Sequence, residues 1–594
     1  MCFACDIIKI IKYNFSEEIK MEFRIKGGSP DAKISIDNQV EKDGILTFDV
    51  NLKFYEPQIP EQFSVIFDFP SIDVYSVWSP SIRYDRYIGV TWQKKVSPSR
   101  LAAWMPLHAL VSSDGRNRLT IAISDAKTPT AIATGVHEHT ACFECELRFF
   151  TIKVAPLTEY CATVRLDLRD MPYYDSIYAV SEWWENDCGY KPAYVPEYAK
   201  LPMNSLWYSY HQELFADELL RECELSKPLG MDTVIVDDGW QTHDQGRGYV
   251  TCGDWQMAPN KFPDMRKFVD DVHSIGMKVM LWFSVPFIGI EAKQFERFKD
   301  MMLAESKGSK KVWVFDPRYK EVRDYLIEIY ANAVKEWNLD GLKLDFIDNF
   351  VLEGKGLEDD DRRDHQSLED AIDVLMIDIT NKLREINPEI LIEFRQTYVG
   401  PAIRKYGNML RVADCPNDCF RNRHNIVNLR LTSGKTAVHS DMVMWHYDDT
   451  VESAALQLVS IMYSVPQISV RVAKLSEEHK KMLDFYLHFW RENRDTLIEG
   501  KLVAANPESG YSIVCSEKDG KAVFTSYTDT IVDCSAYKEI IALNSSRSAT
   551  LIMKNAKGKA YTVLNCMGEK IAEGVINSEL CEISVPLAGM ICAK

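Results

Sequence analysis

The stretch DTVIVDDGWQ (232–241) runs four apolar or β-branched residues into Asp237 and Asp238, then into Gly239 and Trp240. Charge at the end of an apolar run is costly unless it is paired or at work. The pattern recurs along the middle of the chain. Later apolar runs bring Trp282, then Lys343 and Asp345 with Asp348 beyond, Glu393 and Arg395, Arg411 and Asp414, and His439 and Asp441. Carboxylates accept hydrogen bonds from paired sugar hydroxyls, Lys and Arg donate to hydroxyl oxygens and keep carboxylates ionised, and indoles cover the apolar face of a pyranose. Glycoside cleavage asks for two further carboxyls, one on each side of the anomeric carbon.

Such residues converge only if the runs are strands of one sheet. From about 200 to 480, apolar runs alternate with amphipathic helical stretches. The strands are SLWYSY (205–210), DTVIVDDGW, MKVMLWFSV, GLKLDFID (341–348), EILIEF (389–394), NMLRVAD (408–414), AVHSDMVMW (437–445) and QISV (467–470). The helices between them include FADELLRECELSKPLG, DMRKFVDDVHSIG, VRDYLIEIYANAVKEW and one near 367–385. About eight strands over about 280 residues predict a (β/α)8 barrel, whose catalytic groups gather at the C-terminal strand ends. An open doubly wound sheet is the rival, but no GxGxxG follows the first strand.

Before the barrel, KISIDN, GILTFDVNLKF, FSVIFDF, RLTIAIS, ELRFFTIKV and ATVRLDL are short alternating or apolar runs separated by turn residues, as in a β-sandwich. After it, AVFTSYT, EIIALNSS, AYTVLNC and CEISVPLAGMICA predict a small antiparallel β-domain, a second sandwich. The expected fold class is therefore multidomain α/β and β. Its divisions are an N-terminal extension at 1–20, a sandwich at 21–195, a barrel at 196–490 and a C-terminal β-domain at 491–594. A length of 594 residues is too great for a single core.

Other readings compete at particular residues. A lone Asp after an apolar run is often a turn residue or helix N-cap. Clustered carboxylates also bind Mg2+ or Ca2+, but Lys343 and Arg411 beside the key aspartates argue against a cation. EDDDRRD (358–364) reads as a solvated loop, and His439 as a hydrogen-bonded residue behind the pocket. The CxxC pairs Cys2/Cys5 and Cys142/Cys145, with the wider Cys415/Cys419, are too scattered for a zinc site, so the 15 cysteines read as free thiols of a reducing cytoplasm. A net charge of −18 argues against nucleic acid. No run of about 18 apolar residues predicts a membrane span, and Asp6, Lys9 and Lys12 interrupt the N-terminal apolar run, so no signal peptide is read.

Three motifs in order on the second, fourth and sixth strands, VDDGW (236–240), KLDF (343–346) and RVAD (411–414), resemble glycoside hydrolase family 36, the retaining α-galactosidases with raffinose and stachyose synthases as plant relatives. GDW with KFPDM (253–265) and LWFSVP (281–286) are similar too. The resemblance covers most of the chain and implies an exo-acting hydrolase of α-galactosides that needs no cofactor and no metal. It implies Asp345 as nucleophile and Asp414 as general acid/base, with Asp237 and Asp238 on the galactose 4- and 6-hydroxyls. Lys343 and Arg411 would stand near the 2- and 3-hydroxyls, Trp240 and Trp282 would line the pocket, and Trp78 of the N-terminal domain would close it.

The chain departs from the family where IEFRQT (392–397) replaces a Cys- and Gly-rich segment, so Glu393 and Arg395 define a changed pocket. That leaves the sugar open to a 2-acetamido sugar or a pentose, with Asp418 and Asp441 as further candidates for the acid. A galactosyl transglycosylase would share every catalytic residue. A non-catalytic sugar-binding barrel and a metal-dependent lyase or aldolase are the remaining alternatives. The expected partner is a small carbohydrate, and monomer or homo-oligomer remains open.

Overall fold

The computed structural model describes residues 9–14 and 20–594 except 81–85, 244, 245 and 247. The Cys2/Cys5 pair and most of the N-terminal extension lie outside the described residues.

Eight parallel segments form the central sheet: β1 (Met203–Ser205), β2 (Thr233–Val236), β3 (Lys278–Ser284), β4 (Gly341–Asp345), β5 (Leu391–Phe394), β6 (Met409–Arg411), β7 (Ala437–His439) and β8 (Gln467–Ile468). They neighbour one another in chain order, and β8 pairs β1. Bridges from His439 to Val465 and from Val443 to Ile468 close the ring. The expected barrel is therefore present. SLWYSY behaves differently from expectation: the strand stops at Ser205, and Trp207–Tyr210 is a helical turn.

Helices follow the strands: α1 (Ala216–Ser226), α2 (Met265–Ser274), α3 (Lys320–Trp337), α4 (Leu368–Ile386), α5 (Cys419–Thr432), α6 (Val451–Ser460) and α7 (Glu477–Glu499). Asp264 and Ser367 cap α2 and α4, accepting from Lys267 N and Asp370 N, which supplies partners for otherwise orphaned amides. The N-terminal end of the barrel is plugged by Met203, Ile235, Met280, Leu391 and Met409. This leaves the opposite end for polar groups. A three-stranded sheet (Phe287–Gly289, Met302–Glu305, Val312–Phe315), unforeseen in the sequence, stands between β3 and α3.

Among the described residues, the N-terminal part, counting the strand Lys9–Asn14, forms two antiparallel sheets of seven and six strands with their own Phe- and Val-rich core. The helix Tyr173–Asn186 then leads to the barrel. The C-terminal domain has sheets of seven and three strands. It is not purely antiparallel: Lys521–Ser526 runs parallel to Glu539–Asn544, and Ile531–Asp533 parallel to Thr550–Lys554. The chain crosses to the smaller sheet between the first two, so it re-enters the larger sheet in the same direction.

Candidate active site

Alternation along the strands selects the residues that meet inside the barrel. On β4, Lys343 and Asp345 share one face. Lys343 stands in register with Trp282 of β3 and Glu393 of β5. A cavity of about 280 Å³ at the C-terminal end is lined by Trp207, Asp237, Asp238, Tyr249, Trp282, Lys343, Asp345, Phe346, Arg395, Gln396, Arg411 and Asp414. Eight of the eleven site residues expected from sequence thus surround one space.

Asp345 is saturated with donors. Its Oδ1 accepts from Arg395 Nε at 2.8 Å, Tyr398 Oη at 2.5 Å and Phe346 N at 2.8 Å. Its Oδ2 accepts from Arg395 Nη2 at 2.6 Å and Trp282 Nε1 at 2.7 Å. Burial opposes the charge, but Arg395 and Lys343 prevail and hold the carboxyl below its ordinary range.

Asp414 faces the cavity with its side chain 36% exposed. It accepts from Arg395 Nη1 at 2.8 Å, Gln396 Nε2 at 3.1 Å and Arg411 Nη2 at 2.8 Å. Against the cost of burial, Arg395 and Arg411 hold its pKa far below that of a free carboxylate. One guanidinium therefore spans both carboxylates.

Beside Asp345 on β4, Lys343 Nζ donates to Asp237 Oδ2 at 2.6 Å, and Asp238 N donates to Asp237 Oδ1 at 2.9 Å. Asp238 accepts from the side-chain amides of Gln212 at 2.7 Å and Gln241 at 2.6 Å. Burial pushes its pKa up to about 7, only partly offset by those amides. The turn that carries these aspartates needs glycine: Gly239 has φ +122°, and a Cβ there would stand 2.6 Å from the Gln212 Cα.

Three expected residues lie elsewhere. Trp240 is buried beneath the pocket, donating Nε1 to the Trp282 carbonyl at 2.8 Å and packing against Trp255, Phe283 and Trp337. Glu393 lies under the floor, accepting from Gln467 Nε2 at 2.5 Å, and burial raises its pKa. Trp78 does not reach the cavity. It sits on the edge strand Ser76–Trp78 and donates to the Tyr511 hydroxyl of the C-terminal domain at 2.9 Å. Of the other candidates, Asp418 caps α5 by accepting from Arg421 N at 2.9 Å. Asp441 is buried behind Arg411, bonding it, Cys415 N at 2.6 Å and Tyr208 Oη at 2.9 Å. His439 bonds the Ala199 carbonyl at 2.8 Å, and burial lowers its pKa to about 3.

Sequence reasoning missed Trp207, Tyr249, Phe346 and Gln396 in the lining, and Gln212, Gln241 and Tyr398 behind it. Gln241 and Tyr398 are three residues beyond Asp238 and Arg395, close enough to have been noticed. Tyr249 lies in the long connection after β2, where no local pattern marks it.

A sugar-sized polar cavity lined by aromatics and four carboxylates, at the mouth of a (β/α)8 barrel, is a glycoside hydrolase type of site. Residues 197–500 match the model of the Melibiase family, and the chain belongs to that family. Among relatives, α-galactosidase Mel36A of Lactobacillus acidophilus is 28% identical over 144 residues, 23% of this chain and 20% of that protein. The A type blood α-D-galactosamine galactosaminidase of Flavonifractor plautii is 21% identical over 148 residues, 22% of this chain and 13% of that protein. The matched segments thus span about a fifth or less of the curated relatives' length. Over the whole fold, the chain is similar to the GH36 α-galactosidase AgaA of Geobacillus stearothermophilus in complex with raffinose. The TM-score is 0.66 at 14% identity, covering 97% of this chain and 83% of that one. Among the described residues no group of His, Cys, Asp and Glu could hold a metal ion, and no helix is long and apolar enough to cross a membrane.

Proposed function

We propose that the protein releases terminal α-linked galactose from oligosaccharides or glycoconjugates by double displacement. The observation that supports the reading is that one cavity is lined by Asp345 and Asp414, both paired to Arg395, together with the Asp237–Lys343 pair and Asp238. Asp237 and Asp238 would accept from the 4- and 6-hydroxyls of the sugar. An isomer with a misplaced hydroxyl would leave a buried carboxylate unpaired, which is costly.

Asp345, ionised, would attack the anomeric carbon and form a β-galactosyl ester while the glycosidic C–O bond breaks. Asp414 would protonate the leaving oxygen, then take a proton from the water that cleaves the ester. Two arginines oppose that first proton. A bound sugar would strip water from Asp414, and that desolvation favours the protonated carboxyl.

The test is release of p-nitrophenol from the α-galactoside, α-N-acetylgalactosaminide, α-glucoside, β-L-arabinopyranoside and β-galactoside, with Asp345→Ala in parallel. Release from the α-galactoside, lost in the variant, is the expected result. Release confined to the α-N-acetylgalactosaminide would move the substrate and keep the chemistry, a second reading favoured by Arg395 and Gln396 in place of a Gly-rich wall and by the name of the Flavonifractor relative. Product analysis with an added sugar acceptor separates hydrolysis from transglycosylation, since both use the same groups. No turnover of any glycoside would overturn the proposal.

A further inference from the structure

The N-terminal domain touches the barrel at the two loops that carry the catalytic wall. After Asp345 the chain turns sharply. Phe346 adopts a left-handed conformation (φ 65°, ψ 17°), and a 3-10 turn over Ile347–Asn349 follows. Gln396 makes a similar excursion after β5, with φ 58°. Side chains of this size rarely take such a conformation, and the surrounding structure must impose it.

Two strands of the N-terminal domain, Lys95–Arg100 and Ala103–Trp104, reach over both loops. Arg100 donates Nη2 to the Asp348 carbonyl at 2.5 Å and Nη1 to the Phe350 carbonyl at 2.8 Å. These are carbonyls that the short turn leaves without a partner of its own. Trp104 N donates to the Thr397 carbonyl at 2.7 Å. Thr397 Oγ1 in turn donates to Asp348 Oδ2 at 2.9 Å, so the two loops are tied to each other as well. A side chain at Gly400 would meet the Trp104 carbonyl at 2.3 Å, which shows how closely the strand lies on the loop.

We infer that Arg100 is a positioning residue for catalysis: by clamping the Asp348 and Phe350 carbonyls it fixes the turn that presents Phe346 N to the Asp345 carboxylate, and with it the direction of nucleophilic attack. Arg100 does not line the cavity and acts only through that turn. The sugar-binding aspartates Asp237 and Asp238 follow β2 rather than the clamped turn after β4. Loss of Arg100 therefore disturbs the reacting geometry more than sugar binding. The inference rests on Asp345 being the nucleophile.

The experiment compares Arg100→Ala and Arg100→Lys with the full-length wild type on its best p-nitrophenyl glycoside, with melting temperature and amide exchange over 346–350 as further readouts. Arg100→Ala should lower kcat about 100-fold with KM within about threefold, the scale expected when a reacting group shifts by about an ångström. Exchange over 346–350 should quicken, and millimolar guanidinium ion should restore part of kcat in the variant only. Lysine reaches one carbonyl rather than two, so Arg100→Lys should fall between. A variant with wild-type kcat and unchanged exchange would overturn the inference. So would a loss that tracks the melting temperature, raises KM equally and ignores guanidinium. If the wild type turns over no glycoside, the reading of the site fails instead. Exchange over 346–350 then decides the clamp by itself, and unchanged protection in Arg100→Ala would refute it.

Discussion

Arg395 grips Asp345 through two parallel hydrogen bonds, Nε to Oδ1 at 2.8 Å and Nη2 to Oδ2 at 2.6 Å. Its remaining nitrogen, Nη1, reaches Asp414 at 2.8 Å. Fork-shaped pairing of this kind is strong and directional. It lowers the pKa of both carboxylates from one side chain, aided by Lys343 at Asp345 and Arg411 at Asp414.

Replacing Arg395 should therefore move both arms of the pH–rate profile. Without the cation, the pKa of Asp345, which must be ionised, rises, and so does that of Asp414, which must be protonated. Arg395→Gln should shift the acidic and alkaline limbs of kcat/KM together toward higher pH, by about one unit or more. Arg395→Lys, which keeps the charge, should shift them less. The same ion pairs stabilise the fold above the unfolded Asp pKa of about 3.9. Because both folded pKa values are depressed, that contribution is lost as pH falls through them. Urea melts of wild type and Arg395→Gln should accordingly converge at low pH. A profile unmoved by Arg395→Gln would refute the coupling.

The two carboxylates should separate by chemical rescue. Asp345→Ala should be inactive on every substrate. Asp414→Ala should lose about 10²- to 10⁴-fold on a sugar leaving group and far less on p-nitrophenolate, which leaves without a proton. Azide should accelerate Asp414→Ala and yield the glycosyl azide of retained configuration. An inverted azide would exclude double displacement.

Asp238 should make sugar binding depend on pH. Burial disfavours its charge and pushes its pKa up to about 7. Hydroxyl donors favour the ionised form, so affinity for galactose should rise as pH increases through 7 and level off above it. Calorimetry between pH 5 and 9 on Asp345→Ala would follow this. Asp238→Asn should bind weakly with no such rise, and a wild-type affinity independent of pH would contradict the assignment.

Gly239→Ala should damage stability and activity together. The residue sits at φ +122° with Gln212 backbone 2.6 Å from any Cβ. An L-side chain there should cost about 1–3 kcal/mol and lower the melting temperature by several degrees. Displacing Gln212 also removes a donor from Asp238, so turnover should fall by more than the lost stability explains. An unchanged melting temperature would show that the turn relaxes freely.

The barrel and most of the residues that line its cavity are legible in the sequence. Alternating apolar strands and amphipathic helices write their periods directly into the chain, and a charged residue ending a buried strand is conspicuous because it is costly. Asp237, Asp238, Lys343, Asp345, Arg395, Arg411 and Asp414 stand out in this way, as does Trp282 in its apolar run, and all line the cavity. Trp78 illustrates the limit. Its approach to Tyr511 spans 433 residues, a distance over which no local pattern carries information.

What the sequence by itself determined is thus which residues end the barrel strands, because strand and helix periods are local properties. The tertiary structure alone decided which of these groups share a cavity. A turn at Gly239 sends Asp238 into the site and Trp240 beneath it, while strand register puts Glu393 below the floor and Arg395 between the two carboxylates. Only the assembled chain, likewise, brings Arg100 to a turn 248 residues away. Contacts of that kind arise from the packing of whole domains, and the physics that creates them acts between surfaces that do not exist until the chain has folded.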